Sequence, residues 1–559
     1  MPTKLSRREA IAGLSSALVV SAFGAPVSAT ELKQSPYFRH GVASGDPDRE
    51  SLVIWTRISG LSGAVQVDWQ IALDPEFKTV MSRGTVSASA KHDYTVKVLV
   101  SSLEAGKTYF YRFHLPDGYS PVGRTRTLPE GNISSLTLAV VSCSNYPFGY
   151  FNAYEAIARD PSVEWVLHLG DYFYEYGRDG YGGETGARLG RNHEPAGETV
   201  SLSDYRQRHA QYKADSQSQL MHAAHPMLAI WDDHEVTNNP WMGGAQNHQP
   251  ESEGSWAARQ EAALRAYYEW MPIRDPFPGQ SRAAYWRHWE FGSLASMVSL
   301  ETRLSGRAQQ IELATYAPAL QTREDAQRFL REVVAAPDRP MLSDGMQDFL
   351  RKALTSAKDR GRQWQLIANQ IPMARTLHPL LDDSDIAALR GNMSKTAYAR
   401  LEEIARRGQL GLPLYLDPWD GYPVAREEFY ALCQQSGARD LVVLTGDSHS
   451  FWSNQLFDSA GTAMGVEIGT SGVTSPGAFM EFSDQGAALM DTKLAASNRE
   501  ILWANSTRQG YVRLSMSANS ARADYMAVDT ILEPSNALTT LRSETLLRKE
   551  GSLVYESQI

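Results

Sequence analysis

Five apolar runs of strand length each hand over, at their carboxyl end, to residues that carry chemistry. Residues 136–141 lead into Ser142-Cys143-Ser144-Asn145, and residues 163–169 into Gly170-Asp171-Tyr172-Phe173-Tyr174. Residues 226–231 are followed by Asp232-Asp233-His234-Glu235, 364–368 by Asn369-Gln370, and 441–445 by Gly446-Asp447-Ser448-His449. Runs that are apolar at every position belong to strands covered on both faces. Helical stretches alternate with them at 204–221, 255–270, 346–358 and 426–435, and 280–300 is again strand-like. The chain from 134 to 532 is therefore expected to be an α/β domain. Open α/β sheets bind ligands beyond the carboxyl ends of their strands. One polar strand terminus means little; five in succession define a site.

The residue types say what the site holds. Carboxylates, phenols and imidazoles suit hard or borderline cations, and a thiolate adds affinity for a transition metal. A closed structural zinc site would instead gather four Cys or His. Here carboxylates dominate, which favours open coordination, where cations activate water and clamp phosphoryl oxygens. From the residues alone, Tyr172, Tyr174 and Tyr176 compete for the phenol position, and Asn369 competes with Gln370 for the amide.

The remaining sequence narrows the setting. Residues 37–130 show short alternating strands at 52–56, 65–71, 94–100 and 108–113, with Gly45-Asp46-Pro47 and Pro116-Asp117-Gly118 as turns. That pattern predicts an all-β sandwich of immunoglobulin or fibronectin type, acting in packing or gating. Residues 1–29 read as a targeting segment, with Ser6-Arg7-Arg8 before an apolar stretch at 10–25 and Val27-Ser28-Ala29 as cleavage site. The paired arginines point to the twin-arginine export machinery and a periplasmic or secreted protein. The apolar stretch falls short of the roughly 20 residues a membrane span needs, and no span is expected in the mature chain. Residues 533–559 read as a peripheral tail. A net charge of −10 with no basic tract excludes general nucleic-acid binding. Phosphate substrates remain open to an acidic protein if cations reverse the local sign.

Gly170-Asp171-x-x-Tyr174, Asp233-His234-Glu235 and Gly446-Asp447-Ser448-His449 together resemble the metallophosphoesterase signature, in the order purple acid phosphatases show it. With Cys143 at the first ligand position, the chain resembles the PhoD family of alkaline phosphatases and phosphodiesterases. His40-Gly-Val-Ala-Ser-Gly-Asp-Pro47, Trp55-Thr-Arg57, Trp231-Asp-Asp-His-Glu235, Asp417-Pro-Trp-Asp-Gly-Tyr422 and Thr470-Ser-Gly-Val-Thr-Ser-Pro476 agree with it, so the likeness runs from Tyr37 to about Val528. The resemblance implies a four-layer α/β/β/α metallophosphoesterase sandwich behind the β domain. It implies a ferric ion held by Cys143, Asp171, Tyr174 and His449, with Asp171 bridging to calcium. Asp233 and Asp447 would ligate on the calcium side, with Asn369 as the amide there, and His234 would meet the substrate phosphate or leaving oxygen. Phosphate mono- or diesters would be hydrolysed by in-line attack of a metal-bound hydroxide, without a phosphoenzyme. Glu301-Thr302-Arg303 departs from the family, which more often shows Asp before Thr-Arg, and Glu301 is given no role. The rival reading is an exported binding protein that kept the fold and lost activity.

Plainer roles fall to the other candidates. Cys433 follows Phe429 by one helical turn and reads as packing, and His168 and His225, in or beside apolar runs, as core. His193, Arg178 and Arg191 lie in or near a Gly- and Arg-rich loop, 182–197, expected to border the pocket.

Overall fold

Along Leu441–Thr445 the side chains divide between two cores, Val442 and Leu444 facing one and Leu441 and Val443 the other. Trp364–Ala368 divides likewise, with Leu366 on the first side and Ile367 on the second. Successive strand residues point to opposite faces, so a strand apolar at every position is one covered on both. The computed structural model describes residues 33–390, 393–549 and 552–558. The export segment, 1–29, lies outside the described residues.

These strands belong to a seven-stranded sheet in which Ala295–Ser299, Trp364–Ala368, Leu441–Thr445 and Ala463–Gly469 run parallel. The first core is shared with a ten-stranded sheet, through Leu138, Val140, Leu167 and Leu228. There Ser135–Val141, Trp165–His168 and Met227–Ala229 are parallel neighbours. On the far side of the seven-stranded sheet, Met346 and Leu350 of Asp344–Asp359 and Phe429 and Cys433 of Pro423–Gln435 cover the second core. Each fully buried Val or Leu contributes roughly 1.5–3 kcal/mol. Both cores thus anchor the strands whose ends carry the chemistry. The two sets of ends meet: Ser142 bridges to Gly472, and a Cβ on Gly446 would stand 2.7 Å from the Ser142 side chain.

The β domain is joined to the rest of the chain, and two expectations are corrected. The β domain has a core of its own, with Val42, Ile54, Val67, Val96, Tyr111 and Phe113 between two sheets. It is not separate, however. Val42–Gly45, Leu52–Arg57 and Thr95–Val100 extend the ten-stranded sheet through the Gly45–Met227 pairing. The helix expected over 204–221 is two, Leu202–Ala214 and Ser216–Ala224. Asp215 between them is extended (φ −64°, ψ 129°), and its carboxylate accepts from the amides of Gln217 and Ser218. An Asp that caps a new N-terminus ends the old helix. Finally, 533–559 is no peripheral tail. Leu538–Lys549 and Ser552–Tyr555 complete the ten-stranded sheet, and Leu546, Leu553 and Tyr555 are buried in the first core.

Candidate active site

Strand ends deliver their side chains here through an unusual backbone. Cys143, Asp171, Asp447 and His449 all take positive φ, at 60°, 54°, 60° and 57°. The left-handed conformation costs an L-residue roughly 1–2 kcal/mol and gathers at functional sites. Neighbouring loops hold it in place: the Cys143 amide donates to the Gly170 carbonyl at 3.2 Å, and the Ser144 amide to the Asp171 carbonyl at 2.9 Å. Gly170 (φ +99°) lets the loops of Asp171 and Asp232 cross, since a Cβ there would stand 2.3 Å from the Asp232 nitrogen.

Among the described residues three overlapping groups of metal-type donors result, each with donor atoms within 4.8 Å of one another. They are Cys143, Asp171 and His449; Asp171, Asp233 and His234; and Asp232, Asp233 and Asp447. Asp171 joins the first two. Tyr174 stands with the first, its hydroxyl 2.9 Å from Asp171 Oδ2 and 3.0 Å from His449 Nε2. Tyr172 turns away to His222 at 2.9 Å. His449 Nδ1 donates to the Pro476 carbonyl at 3.1 Å, which leaves Nε2 its lone pair for the site. Burial is the main cause that pushes the Cys143 thiol, the Asp171 carboxyl and the Tyr174 phenol well above their ordinary ranges. Such groups are poor anions unless a cation stands among them, which is the condition a metal supplies.

On the other side Arg303, fully buried, spans the acidic residues. Its Nε donates to Asp232 at 2.5 Å, Nη1 to Asp417 at 2.7 Å and Nη2 to Asp447 at 3.0 Å. Glu301 shapes the turn that presents it, accepting from the amides of Arg303, Leu304 and Ser305 at 3.0, 2.8 and 2.6 Å. One guanidinium does not saturate the cluster: the buried oxygens Asp232 Oδ2 and Asp233 Oδ1 have no hydrogen-bond partner among the described residues. Burial pushes the Asp447 carboxyl up to about 7, whereas His234 and Arg303 outweigh burial at Asp233 and hold it low. Orphaned carboxylate oxygens beside a surplus of acids fit hard cations.

His234 pairs through Nδ1 with Glu175 Oε2 at 2.6 Å. Glu175 is fully buried, and its other oxygen accepts from Thr237 Oγ1, the Asn238 amide and Asn247 Nδ2 at 3.1, 2.8 and 2.9 Å. Burial alone would raise the Glu175 carboxyl, but His234 and these donors keep it below its usual range. Burial opposes charge on His234 too; Asp233, Glu175 and Asp171 overcome it and favour the imidazolium.

Asp171, Asp233, His234, Asp447 and His449 line one cavity of about 430 Å³, whose mouth carries Tyr181, Arg400, Tyr415 and Glu481. Of the sequence candidates, Cys143 and Tyr174 stand just behind that wall. Asn369 does not reach it: its amide donates to the Ile371 carbonyl at 2.5 Å and accepts from Trp419 at 3.4 Å. Gln370 is likewise occupied, by Trp231, Leu300 and Thr302. His193 and Arg191 lie outside the cavity lining, bonded to Tyr176 and Tyr212 and to Tyr146 and Asp215 respectively. Arg178 pairs with Glu194. His168 and Cys433 are buried as expected. Glu175 was missed by sequence reasoning, although it directly follows Tyr174; so was Arg303, whose partners are 71 to 144 residues away.

A mixed α/β scaffold with acidic, thiol, phenol and imidazole donors at its strand ends is fitted to hold cations. The chain belongs to the PhoD-like phosphatase family: the family model matches residues 138–525, and the model of its N-terminal domain matches 24–129. It is 33% identical to alkaline phosphatase D of Bacillus subtilis over 577 residues, covering 98% of this chain and 89% of that one. A solved structure of PhoD superimposes with a TM-score of 0.75 at 30% identity, covering 93% of this chain and 92% of that chain. The protein is a phosphoesterase enzyme.

Proposed function

We propose that this phosphoesterase is metal-dependent and exported, and hydrolyses phosphate mono- or diesters at the cavity of Asp171, Asp233, His234, Asp447 and His449. The observation that carries the reading is the overlap of three donor groups, each within 4.8 Å, two of them sharing Asp171 and two sharing Asp233. One ion, ferric iron, is assigned to Cys143, Asp171, Tyr174 and His449. Calcium is assigned to the side of Asp171, Asp233 and Asp447. Asn369 is left out of that set because its amide is bonded elsewhere. Bound there, the cations supply Lewis-acid charge and lower the pKa of water.

The chain's own residues orient and transfer protons around that charge. Asp233, held by the Asn239 amide, and Asp447, held by Arg303, fix the carboxylates that would hold the cations facing the phosphoryl group. His234, charged and clamped by Glu175, presents Nε2 for the proton that a leaving alkoxide takes up. In this reading the domain from 134 onwards, with the C-terminal hairpin Leu538–Tyr555 in its sheet, is a four-layer α/β/β/α sandwich and 37–130 an immunoglobulin-like partner to it. The paired arginines at 7 and 8 are read as a twin-arginine export signal. An inactive binding protein is disfavoured, because decay would have removed one of the donors.

Two measurements test this. Release of p-nitrophenol from mono- and bis-p-nitrophenyl phosphate, with added calcium and with chelator, is expected to rise with the first and stop with the second. A ferric site is expected to colour the protein. Tyr174→Phe and Cys143→Ser are expected to shift or weaken the visible band, and Tyr172→Phe and Cys433→Ser to leave it. A colourless, fully active enzyme without iron refutes the iron assignment alone.

A further inference from the structure

The cavity is larger than a single phosphoryl group needs, about 430 Å³, within the roughly 300–1,000 Å³ range of sites for drug-sized ligands. Its charged lining is uneven. Asp171, Asp233, Asp417, Asp447 and Glu481 are acidic, and apart from the imidazoles of His234 and His449 the one basic side chain in the lining is Arg400 at the mouth. Arg400 comes from the helix Lys395–Leu410, and Glu481 from the segment before Ser483–Ser497. The two form a fork: Arg400 Nε stands 2.8 Å from Glu481 Oε1, and Nη1 donates to Oε2 at 3.0 Å. Nη2 reaches the Ala478 carbonyl at 3.3 Å. The Arg400 side chain is 47% exposed, so its outer N–H edge is open to the cavity mouth. Tyr415, 44% exposed, lines the same cavity between Arg400 and the acidic cluster.

The pair spans a deliberate-looking gap in charge logic. Cations at the strand ends would take the reacting phosphoryl group, and Arg400 lies beyond them where the rest of a substrate must pass. Resting on the phosphoesterase reading above, we infer that the Arg400–Glu481 fork is a specificity subsite for a second phosphate on the substrate, remote from the scissile ester. A remote carboxylate would offer Arg400 no more than Glu481 already does. A phosphate monoester carries roughly −1.5 to −2 charges and three acceptor oxygens, and competes for the guanidinium on better terms. Glu481 then acts as a placeholder, holding Arg400 in position while the site is empty of substrate. The substrate class is a phosphodiester with a further phosphate on one arm.

The test uses a matched pair, thymidine 5′-(p-nitrophenyl phosphate) with and without a 3′-phosphate, hydrolysed by the full metal-loaded enzyme. The wild type is expected to favour the 3′-phosphorylated compound in kcat/KM by about fivefold to tenfold, through KM. Arg400→Ala is expected to abolish that ratio, Arg400→Lys to keep part of it, and Glu481→Gln to raise it. A wild type without the preference, or an Arg400→Ala enzyme that retains it, overturns the subsite. If neither compound is hydrolysed by any variant, the phosphoesterase site itself is misread. Binding of thymidine 3′,5′-bisphosphate against thymidine 5′-phosphate, measured calorimetrically on the same proteins, then still judges Arg400 by the same ratio.

Discussion

At the scale of single residues, the candidates legible in the sequence are those whose position follows from their own strand. Cys143, Asp171, Asp447 and His449 each lie within a few residues of a buried strand, and the left-handed turns at those ends aim them inward. Glu175, Arg303 and Asp417 were not legible, because their roles depend on partners supplied by other segments. Asn369 stands apart from the cavity lining for the complementary reason. It also follows a strand, but neighbours in the next loop satisfy its amide first. The Glu175–His234 pair has a measurable consequence. Glu175→Gln keeps the volume and removes the charge that orients the imidazole, so kcat is expected to fall about 10- to 100-fold with metal content unchanged. A kcat within twofold of wild type would show that His234 needs no such partner.

At the scale of elements, the strands apolar at every position announced themselves, since covering both faces leaves no polar alternation to misread. Leu538–Lys549 did not, because only Glu544 and Leu546 of its twelve residues are fully buried and its pairing is interrupted opposite Tyr525 and Met526. What marks it as structural is at a distance: the Tyr555 hydroxyl donates to the Glu467 carbonyl at 2.6 Å. Ending the chain at residue 537 would open Ala521–Val528 as an edge and uncover the first core. Unpaired edges template aggregation. The shortened protein is therefore expected to lose most of its soluble yield, read as the soluble fraction after lysis. Full solubility and an unchanged melting temperature would return this segment to the status of a tail. The break at Asp215 is a second case, where one capping side chain divides a continuous helical pattern.

At the scale of the whole molecule, the ten-stranded sheet binds the N-terminal strands, the catalytic strands and the C-terminal hairpin into one structure. Behind the site it carries a set of neutral histidines. Burial lowers His168 to about 3, helped by Lys213, while Tyr154 bonds its Nε2 at 2.8 Å. The unfolded chain takes up a proton at His168 near pH 6.5 and the native one does not, so this group favours folding above that pH. Its contribution is lost as pH falls towards 3, by roughly 1.4 kcal/mol per unit. His168→Gln is expected to flatten the loss of stability between pH 7 and 5 by about 2 kcal/mol, followed by urea denaturation. Equal losses in both proteins would mean that His168 is charged in the native state. The proposed function centres on Asp171, which two donor groups share. The most direct measurement is metal content and hydrolysis of bis-p-nitrophenyl phosphate on one preparation each of wild type and Asp171→Asn. The wild type should carry bound metal and lose activity to chelator, and Asp171→Asn should lose both metal and more than a hundredfold in rate. Activity of Asp171→Asn within tenfold of wild type, only ~1.4 kcal/mol in the barrier, or full wild-type activity after metal removal, would contradict it.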